Sequence, residues 1–151
     1  ESLSSLKNYS AVILAGNNEN TKHIKNQIKN YNSKIKIFDA KYTPINLKKF
    51  KSNKKYLVFS GIGNPNTFKK TLLTNKIKIT KSIVFPDHYQ YTNKDIMQIK
   101  QLAKKLKTRI LTTEKDYIRL NKNNKKNIDF LKVQLVIKNK KNLVNFLKTK
   151  L

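Results

Sequence analysis

Cysteine is absent from this chain, which excludes disulfide staples and thiolate-held metal sites. Histidine occurs only at His23 and His88, too far apart in sequence to read as a metal motif, so no metal ligands are assigned here. The lack of cysteine fits a reducing compartment. No apolar run approaches the roughly 20 residues that a bilayer-spanning helix needs, and the opening ESLSSLKNYS lacks the charged-then-apolar layout of a signal peptide. The chain as it stands is therefore expected to be soluble and untargeted. Glycine is equally scarce, with Gly16, Gly61 and Gly63 the only three, so few turns can rest on it.

Acidic residues are few as well: 8 against 34 basic ones, giving a formal net charge of +26. Such an excess points first to nucleic acid or an anionic membrane. Arginine, however, is nearly missing, with only Arg109 and Arg119 present. A protein that grips phosphates and bases is expected to use the planar guanidinium far more. The excess is lysine, it is scattered along the whole chain, and it travels with asparagine and isoleucine, which share A/T-rich codons. A solvated surface of drifted composition accounts for it, with attraction to anionic lipid as the functional alternative. A stand-alone basic module holding nucleic acid would gather its lysines on one face with aromatics between them, and the scatter counts against that.

A length of 151 residues with 38% hydrophobic content suits a single domain, expected to span 1–151. Short β-branched runs alternate with amphipathic stretches, the pattern of an α/β fold with a mostly parallel sheet flanked by helices. Residues 11–14 are expected as a strand, and 21–30 as a helix with Ile24 and Ile28 on one face. The alternating segment 34–40 reads as a strand near a sheet edge. The continuous apolar run 56–59 predicts a central strand buried on both faces. Asn64 as N-cap and Pro65 at the first helical position start a helix carrying Phe68, Leu72 and Leu73. A strand over 79–85 follows, and then a helix opened by a capping box of Thr92 and Asp95, with Ile96, Ile99, Leu102, Ala103 and Leu106 on one face. Further on come a strand over 109–112, a short helix over 114–120, a flexible Lys/Asn-rich loop over 121–127, a strand over 133–137 and a closing helix over 142–151.

Ligands in open α/β sheets bind beyond the carboxyl ends of the strands, and three polar segments fall at such positions. In Ser60-Gly61-Ile62-Gly63-Asn64-Pro65 the glycines permit close backbone approach and the following helix offers a positive N-terminus. The segment is neither a dinucleotide fingerprint nor a phosphate loop, since no third glycine stands at Asn66 and no Gly-Lys-Ser/Thr follows. Taken alone, the segment is better explained as a plain tight turn. In Phe85-Pro86-Asp87-His88-Tyr89 a carboxylate and an imidazole stand side by side, suited to proton transfer or to closing a surface turn. In Thr112-Thr113-Glu114-Lys115-Asp116, Thr113 caps a short helix with Glu114 and Asp116 in its first turn, and a ligand role is the alternative. His23 sits on a lysine-rich helix and reads as a bystander.

SGIGNP with FKKTL, FPDHYQYTNKDI and LTTEKDYIRL, in this order and spacing, resemble the matching blocks of the tetraacyldisaccharide 4'-kinases. The likeness is strong over 56–120, while SAVILAG and VQLVI agree with the family in pattern only. Tyr117 stands where alanine is usual and Tyr89 where a second histidine is common. The resemblance implies a Rossmann-like, P-loop-kinase-type fold and a chain that is the C-terminal part of a larger kinase, without its Walker A unit. It further implies a peripheral enzyme on the cytoplasmic face of the Gram-negative inner membrane. That enzyme moves the γ-phosphate of ATP, with Mg2+, to the 4'-hydroxyl of a tetraacyldisaccharide 1-phosphate, a lipid A precursor. ATP and metal would be held mainly by residues outside this chain, which alone would be inactive. By motif match His88 is the catalytic histidine, which would help the substrate hydroxyl lose its proton, with Asp87 or a catalytic aspartate outside this chain as its carboxylate partner. Ser60, Gly61, Gly63, Asn64, Thr113, Glu114, Lys115 and Asp116 would line the same substrate or nucleotide crevice, with Glu114, Lys115 and Asp116 either touching the nucleotide or bracing the loops. The partners implied are the lipid A precursor, ATP and the anionic membrane surface, with no nucleic acid. A phosphosugar- or nucleic-acid-binding module without catalysis is the alternative.

Overall fold

A computed structural model describes residues 2–16, 21–50 and 53–150. In chain order the strands are β1 (Ala11–Ala15), β2 (Lys36–Pro44), β3 (Lys55–Ser60), β4 (Lys78–Val84), β5 (Arg109–Thr113), β6 (Ile128–Leu131) and β7 (Val133–Ile137). The helices are α1 (Thr21–Tyr31), α2 (Pro65–Thr74), α3 (Asn93–Lys105), α4 (Glu114–Arg119) and α5 (Lys140–Lys148). The chain falls into two compact units: one holds the described residues up to Thr43 and from Gln134 onward, the other is Pro44–Val133. The expected single sheet is two sheets, in the strand orders β1-β2-β7 and β4-β3-β5-β6.

In the first unit β1 runs parallel to β2, with Val12 opposite Ile37. β2 is central and not at an edge as its alternation suggested, because β7 arrives on its far side from the end of the chain. Phe38 and Phe146 meet with ring centroids 5.6 Å apart, which seats α5 on β2. Ile28 is the buried residue of α1, whereas Ile24 and His23 face outward.

The second unit carries the continuous apolar strand. β3 is parallel to both β4 and β5, and β5 is parallel to β6. Its alternate residues feed two opposite cores. Leu57 and Phe59 pack with Ile96, Ile99 and Ala103 of α3, and Tyr56 and Val58 pack with Phe68 and Leu72 of α2. Both faces of the sheet are thus covered, as a parallel sheet requires. Burying each of the leucine, isoleucine, valine and phenylalanine side chains among them is worth roughly 1.5–3 kcal/mol. Two caps place the helices: Asn64 Oδ1 accepts from Thr67 N at 3.0 Å at the start of α2, with Pro65 first in the helix. Thr92 and Asp95 cap each other reciprocally at the start of α3.

The 121–127 segment forms hydrogen-bonded turns fixed to the start of α3. Asn121 Nδ2 and Asn124 Nδ2 each donate to Asn93 Oδ1 at 2.9 Å. β6, which follows at once, has no counterpart in the sequence reading.

Candidate functional site

The carboxyl ends of β3, β4 and β5 lie side by side because all three strands run the same way. Gly61, the loop after β4 and the first turn of α4 therefore meet at one edge. Asp116 is the centre of this meeting and has no exposed surface. Its Oδ2 accepts the backbone N–H of Gly61 at 3.1 Å and the hydroxyl of Thr113 at 2.7 Å, while its own N–H donates to Thr113 Oγ1 at 3.1 Å. Thr113 is thus the N-cap of α4, and the carboxylate three residues on reaches across to β3.

Arg119, one helical turn after Asp116, closes the cluster. Its Nη1 donates to the Gly61 carbonyl at 3.2 Å and lies 3.6 Å from Asp116 Oδ1, and its Nη2 lies 3.1 Å from His88 Nδ1. His88 holds a left-handed backbone, φ 61°. Its N–H donates to Gly61 O at 3.2 Å and to Asp87 Oδ1 at 2.9 Å. The His88 ring is largely exposed, with Nε2 at 3.8 Å from Asp87 Oδ2. The left-handed region is disfavoured for a residue with a Cβ and persists where surrounding bonds fix it.

Gly61 is a close-approach glycine, and what approaches is the protein itself. A Cβ there would lie 2.9 Å from Tyr91 Oη and 3.1 Å from Pro86 O. At Gly63 it would lie 3.1 Å from Asp87 Oδ2. With its N–H given to Asp116 and its flank filled by Tyr91, Gly61 offers no open phosphate cradle. Ser60 is buried and its carbonyl accepts from Phe85 N at 2.8 Å. Asn64 is engaged as the α2 cap. Glu114 faces Lys132 Nζ at 3.7 Å, and the Lys115 side chain is exposed. The structure therefore joins Gly61, His88, Thr113 and Asp116 in one network and sets Asp87 beside His88 and Gly63. Ser60, Asn64, Glu114 and Lys115 have other partners or face solvent. Among the described residues no three His, Asp or Glu side chains converge as a metal site.

Three side chains of this cluster lie outside the sequence-based set. Arg119 carried a signal, being one of two arginines among the basic residues and one turn beyond Asp116. Tyr91 stacks edge-on against Phe59 and Phe85 at 5.3 and 5.2 Å. Burial first, and then the Asp116 carboxylate, hold its phenol pKa well above the ordinary 10.0. Asp95 accepts from Thr92 Oγ1, Thr92 N and Tyr89 Oη at 2.7, 2.8 and 3.2 Å. These bonds, the Thr92 side chain foremost, lower its pKa. Desolvation and then the bond to Asp95 raise the pKa of Tyr89. The two tyrosines noted as departures from the family pattern both have work here: Tyr89 in this chain, and Tyr117 in a ring contact with Phe130 at 4.5 Å.

The class so defined is a parallel α/β sheet with helices on both faces and a polar network at the carboxyl edge of its strands. The family model described as Tetraacyldisaccharide-1-P 4'-kinase matches residues 1–151, and the chain belongs to that family. It is 48% identical over 145 residues to the tetraacyldisaccharide 4'-kinase of Pelagibacter ubique, covering 96% of this chain and 46% of that protein. It is 41% identical over 104 residues to that of Rickettsia akari, covering 69% and 31%. The chain thus spans half or less of the length of these relatives. The fold matches a crystal structure of LpxK from Aquifex aeolicus in complex with ATP. The TM-score is 0.59 at 19% identity, over 99% of this chain and 45% of that one.

Proposed function

We propose that this chain is the C-terminal part of a tetraacyldisaccharide 4'-kinase, which transfers the γ-phosphate of ATP to the 4'-hydroxyl of a tetraacyldisaccharide 1-phosphate. The family match along 1–151 carries this reading. The meeting of the Asp87-His88 loop with Thr113–Asp116 around Gly61 supports it. Phosphoryl transfer is largely a matter of positioning and charge neutralisation. In the proposed reaction Mg2+ would supply much of that neutralisation, held mainly by residues outside this chain. The contribution of this chain is the exposed ring of His88 beside Asp87, placed to organise the acceptor hydroxyl and its proton. Asp116 and Thr113 fix the loops that carry them. The chain by itself is then catalytically silent. The working site is on the cytoplasmic face of the inner membrane, where the lysine surface meets anionic lipid and substrate; no nucleic-acid partner belongs to this reading.

The test is 4'-kinase activity with ATP, Mg2+ and tetraacyldisaccharide 1-phosphate in the chain joined to the remainder of the family's length, against the same protein carrying His88→Ala. A loss of about 10²-fold or more in kcat is expected, the scale of a positioned acid/base group. Unchanged activity would remove His88 from the mechanism. An inactive joined wild-type protein would favour a binding module without catalysis.

A further inference from the structure

The guanidinium of Arg119 has hydrogen-bond donors only and no acceptor. An imidazole nitrogen that meets it at 3.1 Å must therefore offer a lone pair, so His88 Nδ1 is the acceptor. The neutral ring then carries its proton on Nε2, the side that faces Asp87 Oδ2 at 3.8 Å. Arg119 is itself held from two directions, by the Gly61 carbonyl at 3.2 Å and by the fully buried Asp116, whose Oδ1 lies 3.6 Å away. Its side chain is only 17% exposed, whereas that of His88 is 70% exposed. The rigid partner is thus the arginine and the adaptable one the histidine. The backbone of His88 is tied to the same carbonyl of Gly61. One carbonyl therefore sets both the left-handed turn that presents His88 and the cation that orients its ring.

We propose that Arg119 is a positioning residue that fixes His88 in the Nε2–H tautomer, with its own place set by Asp116 and the Gly61 carbonyl. With Nδ1 engaged by Arg119, proton exchange at His88 is confined to Nε2, the nitrogen beside Asp87. Lysine cannot replace this arginine: a single ammonium on a flexible stem cannot hold the carbonyl and the imidazole in one fixed plane. The catalytic meaning of this arrangement rests on the kinase reading above, whereas the tautomer itself does not.

Nitrogen-15 NMR of the two histidines in the 151-residue chain, at a pH where both are neutral, tests the tautomer directly. His23 is exposed and serves as the unconstrained reference. His88 is expected to be skewed more strongly to Nε2–H than His23 in the wild type, and to relax to the His23 ratio in Arg119→Lys. That variant keeps a cation beside Asp116, and the wild-type spectrum stands even if the variant fails to fold. A wild-type His88 that matches His23, or that carries its proton on Nδ1, would overturn the proposal. The activity arm uses the joined kinase: Arg119→Lys is expected to lower kcat about tenfold or more with KM for ATP unchanged. A fixed tautomer with undiminished kcat would limit Arg119 to structure and overturn its positioning role. Failure of His88→Ala to affect kcat, with the tautomer confirmed, would remove His88 from the mechanism and overturn the catalytic role of Arg119, whereas an inactive joined wild-type protein would strike the kinase reading alone.

Discussion

Asp116 is a carboxyl group with no exposed surface in a chain that has 8 acidic residues in all, and four of those eight, Asp87, Asp95, Glu114 and Asp116, gather at the carboxyl edge of one sheet. Burial of a carboxylate is tolerated only with compensation: Gly61 and Thr113 donate to Oδ2, and the Arg119 cation stands 3.6 Å from Oδ1, which has no hydrogen-bond donor among the described residues. The neighbouring Tyr91 gives a pH-dependent consequence. Its pKa is raised in the folded state, so the unfolded chain loses the phenol proton near the ordinary 10.0 while the folded chain keeps it. Its contribution to stability is complete below about pH 10 and is lost as pH climbs beyond that value toward the raised one. Denaturant melts across the alkaline range are expected to show a steeper loss of stability in the wild type than in Tyr91→Phe. Equal slopes would mean that Tyr91 titrates normally. Near neutral pH the substitution should cost little, since Tyr91 Oη is buried without a hydrogen-bond partner.

At the level of elements, the helix caps do more than start helices. Thr113 caps α4 and bonds the carboxylate that reaches β3, so cap and site share one side chain. Thr92 and Asp95 cap α3 directly after the loop that presents His88, and Tyr89 of that loop also leans on Asp95. Thr92→Ala removes the hydroxyl half of this capping box, leaving the backbone N–H of residue 92 on Asp95, and should cost about 1 kcal/mol, read as a lower Tm. It should also change the acid limb. The Asp95 pKa is lowered chiefly by the Thr92 hydroxyl, so that stabilisation exists above the usual carboxylate range and disappears as pH falls through the depressed value. The variant should therefore melt with less acid sensitivity than the wild type, as followed by circular dichroism from neutral to acid pH. The strands illustrate the limits of local reading. β3 announced itself by four consecutive apolar residues, but β6, with Ile128, Asp129, Phe130 and Leu131, is a strand because β5 lies next to it in register. Such pairing is long-range and leaves little trace in four residues.

The whole molecule carries +26 on a scaffold whose arginines are both occupied: Arg109 bonds Asp129 at 2.9 Å, and Arg119 serves the network. The remaining positive charge is lysine, and no helix among the described residues is long and apolar enough to cross a membrane. If the lysine surface meets anionic lipid, attraction of about 1 kcal/mol per lysine near the surface should follow. Co-sedimentation with vesicles containing anionic lipid is expected at low salt, with release toward 1 M, where the screening length falls to about 3 Å. Binding to neutral vesicles of equal strength would rule out a charge-driven contact.

Composition and pattern by themselves determined the α/β class, the twice-buried β3, the caps at Asn64, Thr92 and Thr113, and the three polar segments in their family order. These depend on neighbours within a few residues, and local backbone chemistry is written locally. Only the tertiary structure decided that the strands divide into two sheets with β2 in the middle of one. It also decided that Gly61 is approached by Tyr91 and Pro86 of its own chain, and that Arg119 stands between Asp116 and His88. Those facts join residues about 25 to 100 positions apart, whose meeting is set by strand pairing and core packing and by no local preference.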